Sequence, residues 1–449
     1  MPARRRVIER AYRRLGPAPS CTAGERRWLL VIMLAATVLR LAWVLYAARE
    51  PRGFHDPSLY EVFATRIADG HGFTAANGEA TTYYPVGYVG ALGAVMWFVR
   101  LAPIHENVPL TAGLFNLVLG VGTVWLIFEI GRRLFDNRVG LVAAAAVALW
   151  PNLIFHTAVI LTETLFVFLA LAAVLLLVAL PADAQRVGWR RLAAFGAIVG
   201  LSALVRPISL AFLPVLIVVL AVAGAGWRNV LRAVVVAAGA VAVVLAPWTV
   251  RNTRETGSFV AISTNLGDNL CMSRHPGATG GFQSSDACTV RATGATTAER
   301  EVEVNNTNVR RAAHFVRAHP ATEAKLVVLR AYHSLENDYD GLAASESYGS
   351  NHFIPSALRR ALEIVADVAF FLALVLSVLG VPAFMTRHRP WRLFFLLAGL
   401  ALAVQPLIFF GDPRFHVPVM PFMAVFAAVT LCRARDLLAA RRVTAVAGG

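Results

Sequence analysis

The chain has 449 residues, 57% of them hydrophobic and 15% charged, with a mean hydropathy of +0.60. Soluble domains average about 45–50% apolar and about 25% charged residues. The composition therefore excludes a soluble enzyme, a disordered chain and a secreted disulfide scaffold, and specifies a polytopic membrane protein. The net charge is +15, and Lys325 is the one lysine among 42 basic residues, so the information lies in where the arginines sit.

A helix that spans the bilayer needs roughly 20 apolar residues. In chain order, spans are predicted at 28–48, 110–135, 139–158, 162–180, 192–204, 210–223, 233–250, 361–385, 393–410 and 417–431. The stretch 85–101 is apolar but starts within YYPVGY and ends beside Arg100. Short arginine-rich loops stay cytoplasmic. The N-terminal 27 residues, the loops RRLFDNR, RVGWRR, WRNVLR and TRHRPWR, and the tail all carry arginine. They share one side only if 85–101 does not cross. The expected fold class is therefore all-α and polytopic, with ten spans, one interfacial or re-entrant helix and both termini inside. The organisation reads as a basic N-terminus (1–27), a transmembrane module (28–250) with a first outer loop (49–108), an outer domain (251–360) of α/β or irregular structure, C-terminal spans (361–432) and a tail (433–449). Arg40, lying within the first span, argues against a cleaved signal.

Cys271 and Cys288 fall in the outer segment, 17 positions apart. An oxidising exterior favours a disulfide there; the alternative is two buried thiols.

No P-loop, dinucleotide fingerprint, HExxH or CxxC is present. Asp338-Tyr339-Asp340 has the form of a metal-holding D-x-D, but three residues are weak and a solvated loop is the expected reading. What remains is a set of polar residues on the outer side. Asp56 opens DPSLYEVFATRIADG, an amphipathic run in which it either caps the helix or does chemistry. Glu163 begins the fourth span, and His156 lies seven residues earlier. Arg206, Arg251 and Arg414 stand on the side where arginine is disfavoured. A phosphate accounts for them, since guanidinium binds it bidentately; a lipid headgroup or nearby acid is the plainer alternative. Arg40 is buried within a span and must pair, with a ligand, a carboxylate or helix carbonyls. Two acids and several arginines on one membrane face suit an enzyme with a lipid-linked phosphate donor. They suit a transporter or flippase of an anionic substrate less well, because that needs its charges near mid-bilayer.

The motif order resembles the GT-C superfamily of membrane glycosyltransferases, specifically family 39 and its bacterial relatives, which include protein mannosyltransferases and lipid A aminoarabinose transferases. The resemblance runs through LRLAWVLYAA, HDPSLYEVFATRIADGHGF, YYPVGYVGAL, the long stretch from IGRRLFDNR to ETLFVFLALAA, LVRPISLAFLP, APWTVRNTRETGSF with ATGGF, and DPRFHVPVMPFMAV. It implies transfer of a sugar from a polyprenyl phosphate to a glycan, lipid or protein hydroxyl, at the outer face of the cytoplasmic membrane. Asp56 looks like the family's first-loop catalytic acid, with Tyr60 completing its acidic-x-x-x-Tyr pattern, and Glu163 looks like the second acid. Arg206, Arg251, Arg414 and His416 fall where relatives carry basic residues near the lipid phosphate, and Tyr84 replaces a family lysine. Tyr60, Tyr84, His156 and Arg40 join them as expected substrate contacts. Pro57 stands where many relatives have another acid. If a divalent cation (magnesium or manganese) takes part, Asp56 and Glu163 are its expected ligands. The expected partners are the donor, membrane lipids and the acceptor, with no nucleic acid.

Overall fold

The computed structural model describes residues 20–102, 107–180, 187–386 and 389–447. Arginines 4 to 14 of the basic N-terminus, and parts of two of the arginine-rich loops, lie outside them. Among the described residues there is no strand, only two isolated bridges, Thr74 with Ala80 and Gly281 with Gly411. The segment between the seventh and eighth predicted spans is therefore helical and irregular, not α/β.

All ten predicted spans are helical. Six helical segments pass both tests for crossing, length and apolarity. They contain α1 (Ala23–Ala47), α4 (Val108–Leu134), α10 (Trp227–Thr256), α15 (Ser356–Gly380), α16 (Pro390–Ala403) with α17 (Gln405–Ile408), and α18 (Met420–Ala447). A seventh is the bent pair α5 (Asn137–Leu149) and α6 (Pro151–Phe155). The others are shorter: α7 (Glu163–Val178), α8 (Trp189–Val205) and α9 (Phe212–Val222). The structure does not fix a count of ten. Helix α3 (Gly87–Arg100) has 14 residues, a length of about 21 Å at 1.5 Å per residue. That falls short of a hydrocarbon core of about 30 Å, and its Tyr88, Val89, Leu92 and Met96 are buried in the protein.

Local sequence explains where the helices start. Thr22 and Glu25 form a capping box at α1. Asn107 and Asp136 accept from backbone N–H groups two to three residues inside α4 and α5. Thr296 and Glu299 cap α12 (Thr297–Ala318) in the same reciprocal way. In the 257–355 segment, Cys271 and Cys288 form the expected disulfide. It ties α11 (Leu266–Cys271) to the loop that α12 packs against.

The 60° bend between α5 and α6 has an identifiable cause. Pro151 has no N–H to give to the carbonyl of Val147 and cannot continue the helix. In a bilayer the freed carbonyls have no water to turn to. Arg40 supplies the missing donors: its Nη2 donates to Val147 O at 3.0 Å and its Nη1 to Ala148 O at 2.9 Å. The side chain is 1% exposed. Gly120 on α4 makes room for it, since a Cβ there would lie 2.9 Å from Arg40 Nε. The odd arginine of the first span is therefore spent on helix carbonyls.

Replacing Arg40 by Leu strands two buried carbonyls, each costing about 1–3 kcal/mol. A fall of several degrees in thermal midpoint in detergent is expected. An unchanged midpoint would mean that the bend does not depend on this clamp.

Candidate functional site

Glu163 is the first residue of α7 and is 0% exposed. Its carboxylate accepts from two guanidinium groups brought in by distant elements. Arg206 comes from the break after α8, where Pro207 ends the helix. It donates from Nη2 to Glu163 Oε1 and from Nε to Thr162 Oγ1 at 2.9 Å. Arg414 comes from the turn before α18. It donates from Nε to the same Oε1, and from Nη2 to Oε2 at 3.4 Å. The free end of Arg414 reaches further, and its Nη1 donates to Asp56 Oδ2 at 2.6 Å. One guanidinium thus bridges the two carboxylates expected from the sequence.

Asp56 is the first residue of α2 (Asp56–Ala68), but the N-cap is His55. The Asp56 carboxylate turns to Arg414 and to Tyr84, whose hydroxyl donates to Oδ1 at 2.7 Å. The helix-cap reading of Asp56 fails because the cap is His55 and the Asp56 carboxylate, one residue inside, is engaged by Arg414 and Tyr84. Tyr60, one turn along α2, packs edge-on to Tyr84 with ring centres 4.9 Å apart.

The turn carrying Tyr84 is held from both sides. Glu301 of α12 accepts from Thr81 Oγ1 at 2.5 Å and from Thr82 N at 2.6 Å. Tyr83 donates to Asp268 at 2.8 Å. Arg251 donates to the carbonyls of Thr81 at 2.6 Å and Phe73 at 2.7 Å, and packs over Phe73 and Trp248. Arg251 thus pins the first loop and does not reach the carboxylates, because its guanidinium is committed to backbone.

His416 and His156 also face inward. His416 Nδ1 donates to Ser334 O at 2.7 Å, and Nε2 lies 2.9 Å from Asp338 Oδ1. Phe370 stacks on the ring at 4.4 Å. Trp150 and Asn152 donate to the same Asp338 carboxylate at 2.9 and 2.8 Å. His156 Nδ1 lies 2.9 Å from Asn152 O, and Nε2 is 3.3 Å from Asp340 Oδ2. Gly341 allows this approach: a Cβ there would fall 2.5 Å from His156 Nδ1. The D-x-D segment is therefore no solvated loop. Asp338 and Asp340 are buried and seat the two histidines. A cavity behind them, bounded by Arg40, Thr123, His156, Glu163 and Thr164, has about 20 Å³ of room for the centre of a water, space for about one ordered molecule.

Sequence reasoning missed Asp412 and Tyr348. Asp412 accepts from Arg414 N at 2.8 Å, fixing the turn that presents the guanidinium. Burial and the neighbouring Asp340 push its carboxyl up to about 7. Its one sequence signal was its place in DPRFH. Ser347 and Tyr348 both have left-handed backbone, φ 51° and 50°, a strained choice for non-glycine residues that persists only when surroundings impose it. The strain sets the Tyr348 ring 5.4 Å from that of His55, beside Asp56. Nothing in the composition of that loop signals it.

Among the described residues, no group of three or more His, Cys, Asp or Glu side chains is placed to hold a metal ion. Asp56 and Glu163 do not fit one either, since Arg414 lies between them and a cation would have to displace it.

Known proteins resemble this chain in part of its sequence and in its fold. Residues 94–250 match the family model described as dolichyl-phosphate-mannose-protein mannosyltransferase. No curated protein sequence matches the chain. Among solved structures, the oligosaccharyltransferase of Archaeoglobus fulgidus in complex with Zn and sulfate is similar over 93% of this chain and 50% of its own, at 17% identity and TM-score 0.54. The same organism's AglB, in complex with an inhibitory peptide and a dolichol-phosphate, is similar over 95% and 52%, at 16% identity and TM-score 0.51. ArnT from Cupriavidus metallidurans, bound to undecaprenyl phosphate, aligns over 90% and 78% at 13% identity, with a TM-score of only 0.43. The chain spans about half the length of the archaeal proteins.

Two measurements test the site. Glu163→Gln leaves two buried guanidinium groups short of a counter-charge, a loss of about 3–5 kcal/mol for a broken buried pair. A clear fall in thermal midpoint is expected, and none would mean the arginines are solvated. The raised Asp412 carboxyl sets a pH slope. The folded state keeps its proton up to about pH 7, whereas the unfolded chain loses it near pH 4. Stability therefore falls as pH rises between those values. Asp412→Asn, which retains the capping oxygen, should flatten that slope; an identical pH–stability curve would reject the assignment.

Proposed function

We propose that this chain, a membrane protein with the GT-C fold, moves a glycosyl unit from a polyprenyl-phosphate donor to an acceptor hydroxyl, at the end of the bundle where Asp56 and Glu163 lie. The arginine distribution among the loops supports putting that end outside the cytoplasmic membrane. The observation that carries the reading is the Asp56–Arg414–Glu163–Arg206 array. Arg206 Nη1 is buried without a hydrogen-bond partner, a donor left over for a phosphate oxygen. The solved archaeal AglB of similar fold holds a dolichol-phosphate, a ligand of the same chemical class.

In this mechanism Arg206 and Arg414 take the donor phosphate. The acceptor oxygen attacks the anomeric carbon as the bond from that carbon to the phosphate oxygen breaks. The phosphate leaves with the bonding electrons, and fixed guanidinium groups stabilise its charge. The hydroxyl proton passes to Asp56 as the new glycosidic bond forms. The array carries two negative and two positive charges, so an incoming phosphate competes with Asp56 for Arg414. That competition frees the Asp56 carboxylate to turn to the acceptor hydroxyl, which ties the base to donor binding. One carboxylate acting from the acceptor side gives inversion. Glu163 holds the two arginines and does not reach the acceptor. The polar groups gather at one end of the bundle, where a transporter needs them at mid-depth.

Asp56→Asn keeps one side-chain oxygen to accept from Tyr84, gives up the second oxygen that accepts from Arg414, and cannot take a proton. Transfer from a synthetic polyprenyl-phosphate sugar should fall about 10²–10⁴-fold with donor binding and thermal stability retained. Near-normal turnover would remove Asp56 from the chemistry.

A further inference from the structure

Helix α13 (Pro320–Leu335) is amphipathic in the opposite sense to a surface helix of a soluble protein. Its buried side carries Arg330 and Ser334 beside Leu326, with Glu323 at its edge. Arg330 is fully enclosed and donates to Glu323 at 2.7 and 3.0 Å, to Leu407 O at 3.1 Å and to Ser273 O at 3.1 Å. Arg274 adds a second donor to Glu323 at 2.9 Å. Ser334 accepts from Asp412 N at 3.3 Å through its hydroxyl. The outward side is apolar: Val328 is 68% exposed, Tyr332 64% and Leu335 41%. Spacings of four and three residues put these on one stripe. Ala321, Ala324 and Lys325 continue it, all exposed.

The helix is too short and too charged to be a span, and it is absent from the helices that qualify as one. Yet it is bolted to the end of one. Leu407, which takes its Arg330 bond, belongs to the spanning segment Pro390–Ile408. Val404 and Ile408 on that segment are themselves exposed apolar residues, as lipid-facing positions are. Helix α13 is thus packed against the last turn of this span, whose exposed residues are apolar.

We propose that α13 lies in the interfacial layer of the membrane at the active-site end, with Val328, Tyr332 and Leu335 seated among lipid acyl chains. Three observations select lipid over a protein partner. The helix that carries the stripe is bonded to the end of a span whose own exposed residues, Val404 and Ile408, are apolar. Tyrosine is the residue expected at headgroup depth. Lys325, the chain's one lysine, sits on the same stripe, where its long stem can lie along apolar surface while the ammonium meets lipid phosphates. The enclosed Arg330–Glu323 pair gives the polar side its protein partners, so the helix can turn its apolar side to lipid without stranding a charge. Through Ser334, Asp412 and the Ser334–His416 bond, the same helix holds the turn that presents Arg414. The membrane surface and the candidate site therefore share a rigid element.

The test uses the full chain in proteoliposomes, with Cys21→Ser and Cys432→Ser removing the free thiols. Spin labels go singly at Val328→Cys, Tyr332→Cys and Leu335→Cys. Val375→Cys, exposed on span α15, and Arg317→Cys, exposed on α12, serve as lipid and water references. The readout is the ratio of collision rates with oxygen and with a water-soluble nickel chelate. The three stripe positions should give ratios several-fold above residue 317 and close to residue 375. Ratios at the level of residue 317 would overturn the proposal. So would dipolar broadening between labelled copies that vanishes on dilution with unlabelled protein, which would assign the stripe to a second copy. Three separate labels on exposed residues guard against a single variant that misfolds.

Discussion

One buried carboxylate organises the site. Glu163 sits at the N-terminus of α7 with no exposure, where it would be intolerable without compensation. Arg206 and Arg414, from segments far apart in the chain, supply that compensation by converging on it. Each arginine is in turn costly to bury without an acid. The three groups make one another tolerable, and Arg414 passes the arrangement on to Asp56. Such an array contributes little to net stability compared with an apolar core. What it supplies is a fixed constellation of charge beside a crevice, which is what the transfer of a charged leaving group requires.

The chain surrounds this array with backbone irregularities that a bilayer does not otherwise tolerate. Pro151 and Pro207 both interrupt apolar helices near the same end of the bundle. The first break is made good by Arg40, and the second sets Arg206 at a helix end with its side chain free to swing to Glu163. The turn before α18 is braced by Asp412. A further layer, built from Asp338, His416, Trp150 and Asn152, locks that turn to α13 and to α6. Residues of little promise in sequence, such as Asn152 and Asp338, are thus the ones that fix the position of those with chemical promise.

Around the site, ionic groups are enclosed in pairs or networks, while apolar side chains on the long helices are turned outward. Helix α13 does the same outside the spans, which is why its polarity looks inverted. The 257–355 segment meets the bundle through this helix and through Glu301 on α12, so both edges of the site, the Tyr84 turn and the Arg414 turn, are held by it.

Composition and hydropathy by themselves determined the membrane class and the positions of the helices, because burial in lipid demands long apolar runs and leaves a strong linear signal. Loop arginines set the expected sidedness through the retention of short basic loops on the cytoplasmic side. Asp56, Glu163, Arg206 and Arg414 were legible because a charge at the mouth of an apolar bundle is costly and so stands out. What only the tertiary structure decided was pairing. No linear pattern says that Arg414 bridges two acids while Arg251 and Arg40 are spent on backbone carbonyls, since all three look alike as misplaced arginines. Nor does the sequence reveal that His416 and His156 face inward to Asp338 and Asp340, or that the strained Tyr348 packs against the ring of His55. Those assignments depend on which groups meet across distances of a hundred residues or more, and hydrogen-bond geometry acts only at contact.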